Sequence, residues 1–345
     1  MKLVKPSFEI IEQQPGLEGV YKQIERAGRI CYKSEDKITE DSAKGFVDRM
    51  VKSGHGAMLE HGTVYLRIVQ CISPYYKQFL SEYNLKESDL SIPNSTDVQC
   101  AKNYYWKYSQ NPYSIAISEG IPGIDVYDIT TNLRVLVENN WLDDLKYLCE
   151  PTEYHAKRIT VHFVCDRGVS HEFVRHRVFS FAQESTRYCN YSKDKFNSEI
   201  TYILPCWMNE LKEGYYDLDW DVVNSEGESV SYPYPEDARA VSFWYKHTDN
   251  DKSIHLTAED PRDLYLSGLW ECEEIYFKLL SFGWKPQQAR EVLPNALKTE
   301  LVMTGFISDW KHFFELRCAP NAHPQAQELA TPLKEEFIKR GYINE

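Results

Sequence analysis

Residues 170–188, SHEFVRHRVFSFAQESTRY, concentrate side chains whose types and spacing could do chemistry. Arg175, Arg177 and Arg187 supply three guanidinium groups, and Ser185 adds a hydroxyl donor between them. A guanidinium is permanently charged, and its planar fork of donors matches phosphate oxygens or the carbonyl edge of a pyrimidine. The stretch therefore predicts a pocket for anionic ligands.

A metal site is the competing interpretation of the same residues. The segment HEFVRH is one residue longer than the H-E-x-x-H zinc motif, whose histidines share one face of a helix. His171 and His176 are five positions apart, so at about 100° per residue they diverge by roughly 140°. We therefore expect no metal here. A metal-dependent hydrolase using His171, His176 and Glu172 is the alternative that bound metal would favour.

Charge alone leaves a second alternative open. The arginines could pair with Glu172, Glu184 and other acids on a solvated surface, where ion pairs are common and weak. The whole chain has 39 basic and 52 acidic residues and a formal net charge of −13. That balance opposes general attraction to nucleic acid or anionic lipid. We expect neither partner, and an anionic ligand would need a local basic pocket.

Composition indicates an ordinary globular protein. The chain has 345 residues, of which 42% are apolar, enough for a sizeable core. Its nine cysteines form no C-x-x-C pair and are expected to be reduced thiols. The N-terminus lacks the apolar segment of a signal peptide, and no apolar run approaches transmembrane length. We expect a soluble, cytoplasmic protein.

Hydrophobic periodicity predicts the elements that would position the arginines. Residues 42–51 have helical spacing, whereas 64–68 and 159–165 alternate as strands. The residues 166–168 predict a turn, after which Ser170 would cap a helix that carries His171 through Arg177.

The last third predicts a helix at 271–281 and a second that begins at Pro286, carries Arg290 and ends near Pro294. A strand at 297–303 follows. Ser308 or Asp309 would cap the next helix, which ends at Arg317, and a surface helix spans 324–340.

Mixed α+β is the fold class that this order of elements favours. No linker separates two independent units, so we expect a single domain over 1–345. Residues 76–155 are rich in tyrosine and 207–260 are acidic and broken by turns. Both segments are interpreted as elaborations on a smaller core.

Three landmarks together resemble the flavin-dependent thymidylate synthases. Arg175-His176-Arg177, seven residues and then Ser185 form the R-H-R-x7-S signature of that family. SGHGAMLEH at 53–61 resembles its G-H-x-[ST]-x-x-E-H segment, and 290–317 resembles its R-x-V-L-P segment through the helix ending in L-R. The resemblance implies an α+β sheet flanked by helices, with 76–155 and 207–260 as insertions absent from the smallest members.

The resemblance also implies a reaction. Members of that family methylate dUMP to dTMP with methylenetetrahydrofolate as carbon donor, and FAD reduced by NADPH supplies the hydride. They are homotetramers whose active sites form between subunits. Ordinary thymidylate synthases use a cysteine nucleophile instead, and no cysteine here lies in a convincing nucleophile setting.

Site residues follow from the same resemblance. Arg317 would be catalytic: it would face the uracil edge and favour its N3-deprotonated form by preorganised electrostatics. The other residues expected at dUMP are Glu172, Phe173, Val174, Arg175, Gln183, Glu184, Ser185, Thr186, Arg187 and Arg290. Those expected at the flavin cofactor are His55, Ala57, Arg175, His176, Arg177, Gln183 and His312.

Two departures from the family pattern leave an alternative function open. Ala57 replaces a Ser or Thr whose hydroxyl can meet FAD, and Phe306 stands where many members have an Asn that contacts the cofactor. The alternative is a nucleotide- or flavin-binding protein that has lost turnover. Arg290 and Arg317 are retained, which favours the enzyme.

Overall fold

The computed structural model describes residues 1–71, 81, 100–121, 124–187, 189–193, 199–208, 210–228, 230, 239–247, 252–257 and 260–344. Its strands, in chain order, are β1 (Lys2–Val4), β2 (Ser7–Ile11), β3 (Thr63–Cys71), β4 (Ile115–Ile121), β5 (Ile124–Asn132), β6 (Arg158–Asp166), β7 (Ser180–Gln183), β8 (Thr201–Ile203), β9 (Gly214–Val223), β10 (Arg239–His247), β11 (Lys252–Thr257) and β12 (Lys298–Phe306).

The α-helices are α1 (Gly16–Tyr32), α2 (Ser42–Lys52), α3 (Gly56–Leu59), α4 (Cys100–Ser109), α5 (Leu133–Glu138), α6 (Arg167–Phe173), α7 (Pro261–Ser281), α8 (Pro286–Ala289), α9 (Ile307–Arg317) and α10 (Pro324–Lys339). Short 3-10 turns occur at Glu35–Lys37, Leu142–Tyr147 and Arg290–Val292. Within the described residues, no helix is both long and apolar enough to cross a bilayer.

A four-stranded antiparallel sheet in the order β2-β6-β12-β7 organises the centre of the molecule. Side chains alternate between its faces because successive residues of a strand point in opposite directions. From β12, Leu301 and Met303 pack with Trp310 and Phe313 of α9, in a core that α10 completes. Val302 faces the other way, into a second core with α1 and α3. The central sheet is thus covered on both faces.

Two further sheets flank the central one. The order β3-β5-β4 forms one of them, and its buried residues join α1, α2 and α3 in the second core. The other has the order β11-β10-β9-β1-β8, in which β1 pairs with β8 in parallel and with β9 in antiparallel fashion. Helices and largely antiparallel sheets together confirm the α+β class.

The described part of 76–155 shares a core with the N-terminal region. Tyr108 of α4, Ile129 of β5 and Leu136 of α5 are fully buried with Ile24 of α1. Much of 207–260 is paired in the strands β9 to β11. Whether these segments are insertions relative to smaller family members remains a prediction.

The strands predicted at 64–68, 159–165 and 297–303 are confirmed as β3, β6 and β12, and the helix predicted at 42–51 is confirmed as α2. The predicted turn at 166–168 and the cap at Ser170 are wrong. Asp166 caps α6 by accepting a hydrogen bond from the Val169 backbone N–H at 2.8 Å. An aspartate at this position satisfies an otherwise unpaired donor of the first turn, so the helix begins and ends earlier than predicted.

Other predicted boundaries also shift. The helix expected at 271–281 begins at Pro261, where Asp260 accepts from the Arg262 N–H at 2.8 Å. The helix after Pro286 ends at Ala289, and a 3-10 turn carries Arg290. The N-cap of α9 is Phe306 rather than Ser308 or Asp309. Asp309 instead accepts from the Phe306 N–H at 2.8 Å, from inside the first turn.

Candidate active site

Arg317 is the last residue of α9, and its side chain is held by Glu172 and His176, which precede β7 in the chain. Its Nη1 donates to Glu172 Oε2 at 2.7 Å, and its Nη2 donates to the Glu172 backbone oxygen at 2.6 Å. Its Nε donates to His176 Nε2 at 3.0 Å. An arginine has five N–H donors, so these three bonds fix the guanidinium plane and leave one N–H on each Nη. These two N–H groups are the donors that Arg317 has left for a ligand.

His176 is neutral in this arrangement. Burial, followed by the charge of Arg317, lowers the pKa of His176 to about 4. Its Nε2 accepts from Arg317, so the imidazole proton lies on Nδ1. A neutral acceptor holds Arg317 without repelling it. The charge of Arg317 in turn lowers the pKa of Glu172, chiefly through their hydrogen bond.

Arg175 and Arg177 lie beyond the end of α6, not on it as predicted. Both are exposed, and the side chain of Arg175 is 72% exposed with Glu172 Oε1 3.8 Å from its Nη1. His312 is exposed nearby, with its ring 6.1 Å from that of His176. The exposed guanidinium groups of Arg175 and Arg177 are suited to anionic groups that approach from outside the chain.

Neighbouring predicted residues face the interior. The Phe173 side chain is fully buried against Phe163 and Phe313, so only its backbone is available to a ligand. Val174 is half-buried and packs at the edge of the same core. The Gln183 amide donates to Ser170 Oγ at 2.9 Å, which directs it toward α6.

Residues 184–187 follow β7 as a loop, here called the nucleotide loop after the ligand that the sequence predicted for it. The Glu184 N–H donates to the Glu300 backbone oxygen at 2.8 Å, and the Ser185 N–H donates to the Cys31 oxygen at 3.0 Å. Arg290 Nη1 donates to Thr186 Oγ1 at 3.1 Å. The exposed Arg187 contacts Gln287 at 3.3 Å through its Nε. Arg187 and Arg290 are therefore brought to one surface.

His55 and Ala57 lie at the start of α3 and are both exposed. The hydroxyl of Tyr32 lies 3.4 Å from His55 Nε2. Since Tyr32 follows Cys31, the C-terminus of α1 joins His55 to the nucleotide loop. Sequence reasoning did not indicate this connection.

A buried ionic cluster behind the nucleotide loop was also missed. Lys298 Nζ lies 3.0 Å from Glu184 Oε2 and 2.6 Å from Glu300 Oε1. Lys33 also pairs with Glu300, and His162 Nε2 lies 3.0 Å from Glu300 Oε2. One signal was present in the sequence, because charges at positions 298 and 300 fall on one face of the predicted strand.

The cluster is charged despite its burial. Burial alone would raise the pKa of Glu300, but the hydrogen bond from His162 and the charges of Lys298 and Lys33 outweigh it, so this pKa is lowered. Burial alone would lower the pKa of Lys298, but Glu184 and Glu300 outweigh it and raise this pKa. The cluster therefore remains ion-paired at neutral pH.

Three cavities, of about 320, 400 and 630 Å³, contain none of the predicted site residues in their described linings. The smallest lies between residues 10–16 and 148–159. The exposed predicted residues, Arg175, Arg177 and Arg187 among them, lie instead on the open surface of one chain, above the buried Phe173 and His176. We place the candidate site on this surface because it carries the fixed guanidinium of Arg317 and the exposed ones of Arg175 and Arg177. Within the described residues, no group of three or more His, Cys, Asp or Glu side chains is placed to hold a metal.

The family described as "Thymidylate synthase complementing protein" has a model that matches residues 151–340. This range includes all the predicted site residues except His55 and Ala57.

Curated relatives are flavin-dependent thymidylate synthases. The protein from Pyrococcus furiosus is 27% identical over 179 residues, 52% of this chain and 53% of the relative. That from Geobacter sulfurreducens is 26% identical, over 48% of this chain and 50% of the relative. A probable member from Paramecium bursaria Chlorella virus 1 is 25% identical, over 52% and 66%. The chain spans about half the length of the first two of these relatives.

Among solved structures, the UMP/dUMP methylase PolB from Streptomyces cacaoi bound with 5-Br dUMP aligns over 98% of this chain and 93% of its own. The two are 15% identical with a TM-score of 0.35, which is too low to establish a shared fold.

Proposed function

The chain belongs to the thymidylate synthase complementing protein family, as its motifs predicted, and from that premise we propose that it methylates dUMP to dTMP. The carbon donor in this proposal is methylenetetrahydrofolate, with FAD as cofactor and NADPH as reductant. The observation that carries the proposal is the fixed guanidinium of Arg317, held by Glu172 and His176.

We assign Arg317 to the carbonyl edge of the pyrimidine ring of dUMP. Its two remaining N–H donors are directed by a plane that three hydrogen bonds already fix, so little reorganisation accompanies the reaction. A cation at the carbonyl edge stabilises negative charge on the ring and favours the N3-deprotonated form. The electron-rich ring would then bond through C5 to the folate's methylene carbon. The bond from that carbon to the folate nitrogen breaks as tetrahydrofolate leaves, and the C5 proton is lost before the hydride is added.

Arg187 and Arg290 are assigned the phosphate end of dUMP, with Ser185 and Thr186 as hydroxyl donors. Both arginines are accessible on one surface, and Thr186 links Arg290 to the nucleotide loop. Ser185 donates to the nucleotide and is not a nucleophile. Glu184 contributes through its backbone, because its carboxylate is buried against Lys298.

The exposed residues fit a flavin with its pyrophosphate. Arg175 and Arg177 offer accessible cations, and His55, Ala57 and His312 lie on exposed surfaces where a large cofactor could reach them. FAD, when bound, supplies the hydride that completes the methyl group. His176 acts behind Arg175 and Arg177, where it keeps Arg317 in place. At Ala57 only the backbone can serve the cofactor.

We propose a homotetramer with active sites between subunits. The exposed members of the predicted set lie on an open surface of one chain, and a second subunit would enclose that surface. In this proposal residues 1–345 are one cytoplasmic domain, and the segments 76–155 and 207–260 are insertions of unassigned role.

Conversion of dUMP to dTMP by the purified protein, with FAD, NADPH and methylenetetrahydrofolate added, tests the proposal. We expect dTMP that disappears when FAD is removed and returns when it is restored. Absence of product from a preparation that binds both FAD and dUMP would support the alternative, a binding protein without turnover. Absence of binding to either ligand would contradict both functions.

A further inference from the structure

Lys298 is the half-buried cation that joins the nucleotide loop to the central sheet. Its side chain is 17% exposed, and its ammonium lies 3.0 Å from Glu184 Oε2 and 2.6 Å from Glu300 Oε1. Glu184 is more deeply buried, with its side chain 2% exposed. Within the described residues, Lys298 is the only cation whose ion pair with Glu184 is observed.

Glu184 is the first residue of the nucleotide loop, so its position affects those that follow. Its backbone N–H is fixed on Glu300, and the next N–H, that of Ser185, is fixed on Cys31. The carboxylate of Glu184 is directed inward, away from the surface that carries Arg187. Lys298 and these two backbone bonds therefore set the path of the chain at Ser185 and Thr186.

We infer that Lys298 is a positioning residue for dUMP binding: its ammonium keeps the Glu184 carboxylate inside and so holds the nucleotide loop in its binding conformation. The inference rests on the proposed function, because it assigns the loop to dUMP. Lys298 itself does not touch the ligand.

The physical reason is the cost of an unpaired buried charge. Without Lys298, the Glu184 carboxylate would lose its counter-ion in a site with almost no access to water, and such a carboxylate is strongly destabilised. Glu184 would regain solvation by moving outward, which moves Ser185 and Thr186 with it. Glu300 would still keep Lys33 and His162. The disturbance should therefore be concentrated at Glu184.

Lys298→Met is the first test, because methionine keeps the length and apolar stem of lysine without its charge. We expect the KM for dUMP, and its Kd by equilibrium dialysis, to rise about tenfold or more. The kcat at saturating dUMP should change much less, since bound nucleotide can restore the loop. Lys298→Arg, which keeps a cation, should remain closer to the wild type.

The decisive variant is the double substitution Lys298→Met with Glu184→Gln. Removing the stranded charge removes the reason for the loop to move, so the double variant should bind dUMP more tightly than Lys298→Met alone. A purely structural role for Lys298 would not produce this rescue. Lys33→Met is the matched control: it also removes a cation from Glu300 but leaves the pair between Lys298 and Glu184 intact.

The outcomes separate this inference from the proposed function. If the wild type binds dUMP and Lys298→Met binds it equally well, the positioning role is wrong and the function stands. Equal weakening of dUMP binding in Lys33→Met, or no rescue in the double variant, would also overturn the role. If the folded wild type does not bind dUMP, the proposed function itself fails.

Discussion

Arg317 Nη1 lies 2.7 Å from Glu172 Oε2, a contact that joins the end of α9 to the end of α6. The two residues are 145 positions apart in the chain, and a second bond reaches the Glu172 backbone at 2.6 Å. Because two N–H groups of one guanidinium bond two oxygens of the same residue, the contact fixes the direction of Arg317 as well as its distance from Glu172. Glu172 is thus the main structural determinant of where Arg317 points.

Replacing Glu172 by Ala should lower kcat with little change in the KM for dUMP. Arg317 would keep its bonds to His176 and to the backbone but lose the carboxylate that orients Nη1. We expect kcat at saturating dUMP to fall roughly 10–100-fold, below the loss for deleting a transition-state donor outright. Glu18→Ala removes an exposed carboxylate of α1 that pairs with Lys22, and it is the control. A wild-type kcat for Glu172→Ala would contradict the orienting role.

Arg187→Ala and Arg290→Ala should each weaken dUMP binding more than they slow turnover. A charge-assisted hydrogen bond contributes about 1.5–3 kcal/mol, so the KM should rise roughly 10–100-fold. Deoxyuridine, which lacks the phosphate, should be bound equally by these variants and the wild type in equilibrium dialysis. Arg26→Ala, at an exposed pair with Glu9, is the control. A change in deoxyuridine binding as large as that for dUMP would exclude phosphate contact.

Acidification should destabilise the fold through two buried neutral histidines. Burial lowers the pKa of His61 to about 3 and that of His176 to about 4, from a usual 6.5. Below pH 6.5 the unfolded chain binds protons that the native state does not, so stability falls as the pH falls. Each histidine contributes up to about 1.4 kcal/mol per pH unit, and above pH 6.5 the full stability remains.

His61→Gln isolates one of these contributions. His61 is fully buried, and its Nδ1 lies 2.8 Å from Thr304 Oγ1. Urea unfolding at several pH values between 4 and 8 should show a lower stability at pH 8 but a shallower fall on acidification. A fall as steep as that of the wild type would mean that His61 is not the titrating group.

Trp310 should be among the most sensitive core positions. It is fully buried in the core between α9, α10 and the central sheet, and its indole N–H donates to the Ile159 oxygen at 3.1 Å. Trp310→Ala should cost about 3–5 kcal/mol of unfolding free energy, from lost burial and the cavity left behind. Trp310→Phe should cost less because most of the volume stays. Urea denaturation measures both, and a loss under about 1 kcal/mol for alanine would be inconsistent with this packing.

Sequence periodicity was sufficient to predict the central strands, because the burial of each residue appears directly in the local pattern of apolar residues. In β12, Leu301 and Met303 enter one core while Val302 enters another, so every residue of the segment is constrained by burial. The family resemblance was likewise contained in short motifs, and the family match confirms it. The α+β class followed from the order of these elements.

What sequence reasoning missed depends on side-chain partners far apart in the chain. The start of α6 is set by the Asp166 side chain, which displaced the predicted cap at Ser170. The ionic cluster unites Lys33, Glu184 and Lys298, whose spacing carries no local pattern. The roles assigned to individual site residues remain predictions that the experiments above address.

Single-turnover formation of dTMP by the wild type and by Arg317→Met is the measurement that tests the central claim most directly. Both proteins would be loaded with reduced FAD and saturated with dUMP before methylenetetrahydrofolate is added. The account predicts dTMP from the wild type and a rate at least about 100-fold lower from the variant, with dUMP still bound. Equal single-turnover rates would contradict the assignment of Arg317, and no dTMP from either protein would contradict the proposed reaction.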